Sequence, residues 1–315
     1  MSGTVTAVVT PLLFDPEQGT VIMEPERGGS GYWVGAPSVC WDEAEHCWWL
    51  TYRRRRPRGV NPDGLGDRGY VGYIARSSDG VHFTDVWQVT QGEWQTPSME
   101  RFCLVRLAEA YALYVSFVDP ADGRWRIDML TAGHPSRFDA QKRQEVFTAG
   151  SVEGATGVEG VKDPVVFQAG GTYFMLVSFA VGLARTLEER ERMHRTADIY
   201  NTGLATAPTA LARSADGLSW QWVGEILPVG EQGAWDAYQS RLNSAVQIGG
   251  LWLGFYDGAA SERENYEERC GLAVSLDLRR WTKVTVAGPL VVAPHASGSV
   301  RYVEALRHGE ELVLY

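Results

Sequence analysis

Cysteine is scarce: Cys40, Cys47, Cys103 and Cys270 are the only four in a chain of 315 residues. That excludes a disulfide-stapled scaffold, and their spacing matches no zinc or iron–sulfur ligand pattern. Cys40 and Cys47 are close enough to face each other across a hairpin, but buried free thiols are the expected state. Histidine is also sparse. The six residues His46, His82, His134, His194, His295 and His308 are scattered, with no pair at zinc spacing. No glycine-rich loop follows a strand and opens a helix, and no nucleophile elbow surrounds a serine. No apolar run approaches the roughly 20 residues that span a bilayer, so no membrane partner is expected. Met1 to Leu13 has neither a basic start nor a long apolar stretch, which predicts no signal peptide and a cytoplasmic protein. Basic charge is in deficit as well. A formal net charge of −10 argues against nucleic acid as the main partner.

What the chain has is 44% apolar residues, 11% aromatics and 35 glycines, with short apolar runs broken repeatedly by turn residues. This composition predicts an all-β chain folded as a single domain. Internal repetition sharpens the prediction. The segments Ala75–Phe83 (ARSSDGVHF), Ala212–Trp220 (ARSADGLSW) and Ala273–Trp281 (AVSLDLRRW) share one pattern. Each reads as a strand ending in Ser, a turn built on Asp, and an aromatic opening the next strand. Asp suits the turn because its short side chain bonds nearby backbone N–H groups. A weaker copy, Met129–Phe138, replaces the turn with His134-Pro135-Ser136. The aromatics Phe83, Phe138, Trp220 and Trp281 follow at intervals of 55, 82 and 61 residues, one four-stranded unit per interval with an insertion in the third.

A hairpin precedes each copy. Its second strands are Cys47–Tyr52, Tyr111–Phe117, Thr172–Phe179 and Leu251–Tyr256, with a fifth, Glu311–Tyr315, at the chain end. Its first strands begin near Ala36, Glu100, Asp163, Arg241 and Arg301. The pattern predicts a five-bladed β-propeller of four-stranded antiparallel blades. The blades span roughly 31–94, 95–150, 158–228, 235–290, and 296–315 plus 1–25. The runs Val5–Phe14 and Thr20–Met23 are expected to complete the last blade and close the ring, leaving no edge unpaired. The insertion Leu183–Asp198 has helix-forming composition, and reads as a solvated excursion, or as a lid over the pocket or an oligomer contact.

In a propeller the first strand of each blade lines the central channel. Counting back from the ends of the second strands gives the ring Ala36, Glu100, Asp163, Arg241, Glu304. Charge gathered at one mouth is not what core packing selects, because a buried charge is costly unless paired. Arg101, Lys162, Asp236, Tyr238, Asp257, Arg301 and Tyr302 neighbour this ring. They read as structural ion pairs along a wet channel or as a site for a polyhydroxylated ligand. The run Arg53–Arg58 reads as loop charge paired with Asp63 and Asp67, or as recognition of a phosphate or acidic sugar. In the charged loop Ser261–Arg269, Asn265, Glu268 and Arg269 are the residues within reach of the rim. The carboxylates leave room for a structural cation in the channel, though no loop encodes one and no other cofactor is implied.

The segment Val161-Lys162-Asp163-Pro164-Val165-Val166-Phe167 resembles the third-blade signature of five-bladed-propeller glycosidases, glycoside hydrolase families 32, 43 and 68. Ser98-Met99-Glu100-Arg101 and Phe255-Tyr256-Asp257-Gly258 resemble segments of the family 130 mannoside phosphorylases. The resemblance implies a glycoside hydrolase acting on a small carbohydrate. Asp163 would be the carboxylate that stabilises the transition state or tunes the acid. Gly35-Ala36-Pro37-Ser38 departs from the pattern, which has a catalytic Asp in blade one, and blade four offers Asp236 and Arg241 where the pattern has its acid. Glu100 and Glu304 are then the acid and base candidates beside Asp163, with Arg241 and the neighbouring residues binding hydroxyls. A phosphorylase, or a propeller that binds carbohydrate without turnover, is the alternative.

Overall fold

The computed structural model describes residues 14–57, 59–60, 67–152 and 157–315. Strands dominate and fall into successive antiparallel sheets. The first contains β1 (Trp33–Asp42), β2 (Cys47–Arg55), β3 (Val71–Ser77) and β4 (Thr84–Thr90). The second contains β5 (Met99–Arg106), β6 (Tyr111–Val118), β7 (Trp125–Ala132) and β8 (Gln144–Phe147). The third contains β9 (Val158–Ala169), β10 (Thr172–Gly182), β11 (Ala205–Thr206), β12 (Thr209–Ser214) and β13 (Gln221–Leu227). The fourth contains β14 (Gln239–Leu242), β15 (Val246–Ile248), β16 (Leu251–Ala259), β17 (Arg269–Ser275) and β18 (Trp281–Lys283). A two-stranded sheet, β19 (Ala305–His308) and β20 (Glu311–Leu314), ends the chain.

The arrangement is that of a β-propeller. First strands of adjacent sheets contact one another around a central channel: β1 with β5, β5 with β9, β15 with β19, and β19 with β1. Between neighbouring sheets lie separate apolar clusters, such as Trp49, Phe102 and Tyr111 between the first and second. Leu176, Trp252 and Tyr256 fill the same role between the third and fourth. Full burial of a Phe such as Phe102 or Phe255 contributes roughly 1.5–3 kcal/mol, so the sheets are held chiefly by their faces.

The repeated turn forms as its residues dictate. Ser77 Oγ accepts from the N–H groups of Asp79 and Gly80, and Asp79 Oδ1 accepts from Val81 and His82. Ser214 with Asp216 and Ser275 with Asp277 reproduce the motif. The turn needs a left-handed residue after Asp, supplied by Gly80 (φ 76°) and Gly217 (φ 73°), and in the third copy by Leu278 at 63°.

Two expectations change. Thr20–Met23 forms no strand, although Ile22 and Met23 pack on the cluster shared by the first and last sheets; Val5–Leu13 lies outside the described residues. The sheet Ala305–Leu314 therefore has two strands among the described residues. The insertion is not wholly solvated: helix Leu187–Arg195 buries Met193 beside Val118, Trp125 and Tyr200. All four cysteines are free. Among the described residues no helix is long and apolar enough to cross a membrane.

Candidate active site at the channel mouth

Backbone irregularity aims side chains into the channel. The β1–β2 register shifts between Gly35 and Ser38, and the β5–β6 register between Met99 and Phe102. The shift in β10 at Leu176/Ser178 sits opposite Asp163. Each bulge turns a residue out of the ladder and re-aims it. Ala36, Asp163 and Tyr302 share the left-handed backbone at φ 55°, 54° and 59°. This common conformation makes Tyr302, rather than Glu304, the last sheet's counterpart of Ala36 and Asp163. The shorter last hairpin had displaced the count by two residues.

Glu100 and Asp163 lie at the mouth as expected, and both are buried. Glu100 Oε2 accepts from Arg53 Nη2 and, at 3.2 Å, from the Tyr302 hydroxyl. Burial pushes the Glu100 carboxyl up, but Arg53, Lys162, Arg68 and Arg301 together hold it well below its ordinary 4.5, so it is ionised. Asp163 accepts from Arg241 Nη1 at 2.6 Å and from the Arg101 N–H at 3.4 Å, with Lys162 Nζ 3.5 Å away. Burial opposes ionisation here too, and Lys162 and Arg241 overcome it.

Arg241 is the hub. It also donates to Asp257, approaches Glu268 at 3.6 Å, and lies 4.2 Å over the Tyr302 ring. Asp257 in turn accepts from the Tyr302 N–H at 2.9 Å. Burial, with Glu268 beside it, raises the Asp257 carboxyl above its ordinary 3.8 against the pull of Arg241. Arg301 pairs with Glu268 at 3.0 Å and stacks 4.7 Å over Tyr302. Lys162 lies 4.4 Å over Tyr200 and 5.3 Å over Trp125, and its nearby carboxylates raise it despite burial.

Other expected residues belong elsewhere. Glu304 pairs with Arg101, whose Nη1 also donates to Asn243 at 3.3 Å. Glu304 lines a cavity of about 540 Å³ at the opposite end of the channel, with Asp42, Arg106 and Arg307. It does not join Glu100 and Asp163. Asp236 is bound to Lys283 at 2.6 Å and to the Tyr256 hydroxyl at 3.1 Å, within the fourth sheet. Tyr238 packs beneath the third-sheet excursion, its hydroxyl on the Tyr200 carbonyl at 2.7 Å.

The structure adds residues the motif reading had not placed. Arg68 and Asp198 form an ion pair between the first-sheet loop and the excursion. Tyr266, from the loop after β16, bonds Asp198 and receives a hydrogen bond from Asn201 at 2.7 Å. Three loops are thus clasped beside the mouth, with Tyr266 held at φ 81°. Among the described residues no group of three or more acidic, histidine or cysteine side chains is placed to hold a metal ion. Arg and Lys take up the channel carboxylates instead.

The sequence matches no family model and no curated protein. Its backbone matches solved structures. A glycoside hydrolase superposes with TM-score 0.68 at 11% identity, over 99% of this chain and 90% of that one. A β-1,2-mannobiose phosphorylase from Listeria innocua, in complex with β-1,2-mannobiose, gives 0.59 at 16% identity, over 93% and 88%. The GH43_1 enzyme from Xanthomonas citri gives 0.56 at 14%, over 90% and 81%. The chain has the fold of the propeller glycoside hydrolases and phosphorylases. Within that fold Ala36, with no carboxylate, occupies the first sheet's bulge, while the second and third sheets deliver Glu100 and Asp163.

Proposed function

We propose that the chain is a carbohydrate-active enzyme, a glycoside hydrolase that binds a small glycoside in the channel mouth. In this reading the two-stranded sheet counts as a fifth blade, and the protein works in the cytoplasm. One observation carries the reading: an ionised Glu100 beside Asp163, framed by Trp33, Tyr200 and Tyr302, where the superposed enzymes support a carbohydrate partner. Glu100 would act as base or nucleophile. Asp163, fixed by Arg241, would stabilise positive charge developing at the sugar ring. Glu304, paired with Arg101 and lining the opposite end of the channel, does not supply the second carboxylate in this reading.

A second reading rests on its own observation. Glu100 and Asp163 are both held ionised, which leaves neither to donate a proton to a leaving group. Binding without turnover accommodates that better than hydrolysis, while phosphorolysis dispenses with the base that activates water but still needs the proton. Screening aryl-glycosides and oligosaccharides with and without phosphate separates these readings. Turnover abolished by Glu100→Gln supports the first. Turnover that survives Glu100→Gln refutes the assignment of Glu100, and a ligand that raises Tm with no turnover refutes the enzyme.

A further inference from the structure

Cations crowd the mouth. Around it stand Arg53, Arg55, Arg68, Lys162, Arg241 and Arg301. The carboxylates among them are Glu100, Asp163, Asp198, Asp257 and Glu268, with Asp67 buried beside Arg68 in the chain. Arg55 makes no ion pair among the described residues. Its guanidinium lies 4.3 Å over the Tyr266 ring, on the same face of β2 as Arg53. Burial lowers its pKa, as it does for a cation with too little compensation.

Donors are also left over. Arg53 is 2% exposed, and among the described residues its Nε and Nη1 have no hydrogen-bond acceptor, while Nη2 donates to Glu100. The Nε of Arg301 and the Tyr200 hydroxyl are likewise buried and unpartnered. A buried donor with no acceptor is costly, more so when charged, and persists where a ligand completes it. Arg53, Lys162 and Arg301 all act on the Glu100 carboxylate, and Arg53 and Arg301 approach the Trp33 ring at 4.9 and 5.8 Å.

We infer that the ligand is an acidic sugar, a glycuronide or related monoanion, whose carboxylate is received by Arg53, Arg55, Arg301 and Lys162. This inference rests on the reading of the mouth as a glycoside site. A planar guanidinium fork matches a carboxylate bidentately.

The test titrates glucuronate, galacturonate and mannuronate against glucose, galactose and mannose by calorimetry, with inorganic phosphate as a further arm. At least one uronate should bind tenfold or more tightly than its neutral counterpart. Arg55→Gln, on a half-buried side chain, should weaken that uronate at least tenfold and leave the neutral sugar unchanged; Arg301→Gln, which also loses the Glu268 pair, should weaken the uronate at least tenfold. Equal affinity for acid and neutral sugar overturns the inference. So do saturation by phosphate alone, a preference that survives both variants, and failure of every uronate to bind. The two readings fail separately. Turnover of neutral glycosides without acid preference removes this inference and spares the hydrolase, whereas uronate binding without turnover of any glycoside does the reverse.

Discussion

The Tyr302 hydroxyl donates to Glu100 Oε2 across 3.2 Å from a backbone held at φ 59°. The two residues come from the last and second sheets, so this one bond spans the channel mouth. Its ring is also covered on the guanidinium side, with Arg241 at 4.2 Å and Arg301 at 4.7 Å. Tyr302 thus positions the carboxylate while its ring contacts both guanidinium groups.

Tyr302→Phe should keep the ring and its stacking and lose only the hydrogen bond. The expected loss of unfolding free energy is about 1 kcal/mol, read from urea melts. In the enzyme reading kcat should fall and KM change little, because Glu100 keeps its charge and loses its aim. A larger change in KM than in kcat would instead make Tyr302 a binding residue.

Mild acid should do little to the fold. Glu100 and Asp163 have folded values below their ordinary 4.5 and 3.8. Their stabilisation is fully present above those ordinary values and is lost as pH falls through the depressed folded ones. Asp257 has the opposite sign, since burial raises it above 3.8; its ionisation at neutral pH weakens the fold slightly. Unfolding free energy measured from pH 7 downward should hold to about pH 4.5 and drop below 3.8. A steep loss between pH 7 and 5 would contradict this account of the site.

How legible this was in the sequence depended on periodicity. The repeated Ser–Asp turns and the hairpins before them located the strands, because turn chemistry and alternation are local. The count along first strands found Glu100 and Asp163 for the same reason. It missed Tyr302, since the last hairpin is shorter and only the backbone reveals the shared left-handed residue. Arg53–Arg56 carried a usable signal. The second strand runs on to Arg55, so strand alternation puts Arg53 and Arg55 on one face and Arg54 on the other. Arg54 lies over Tyr52 and Tyr73, and Arg56 pairs with Glu26 at 2.8 Å. Arg58 and Asp63 lie outside the described residues. Asp198 and Arg68 were not legible, because their pairing depends on how two long loops meet in space.

Asp257→Asn and Asp163→Asn should differ sharply. Asn at 257 retains an acceptor for the Tyr302 N–H and removes a charge that burial already disfavours, with Asp163 and Glu268 still facing Arg241. That change should cost within about 1 kcal/mol. Asp163 is the carboxylate paired with both Lys162 and Arg241, and losing it leaves buried cations uncompensated. The cost there should be about 3–5 kcal/mol. Comparable losses for the two variants would mean that Asp257 anchors Arg241 as firmly as Asp163 does.

Gly69 tests how the clasp is set. It sits at φ +57°, and a Cβ there would lie 1.7 Å from the Met99 carbonyl oxygen. The Gly69 carbonyl already accepts from the Met99 N–H at 3.1 Å, so the two backbones cannot separate without breaking that bond. Gly69→Ala should therefore cost more than about 2 kcal/mol. Gly170→Ala is the control: φ is +56° with nothing within 4 Å, so left-handed strain of about 1 kcal/mol acts alone. The difference between the two isolates the steric component. Because Arg68 precedes Gly69 and donates to Ser98 Oγ at 3.0 Å, relief of the clash must also displace Arg68 from Asp198. Gly69→Ala should then raise protease cleavage within the excursion 183–198, while Gly170→Ala leaves it unchanged. Equal protection in the two variants would show that the Arg68–Asp198 pair does not hold the excursion down.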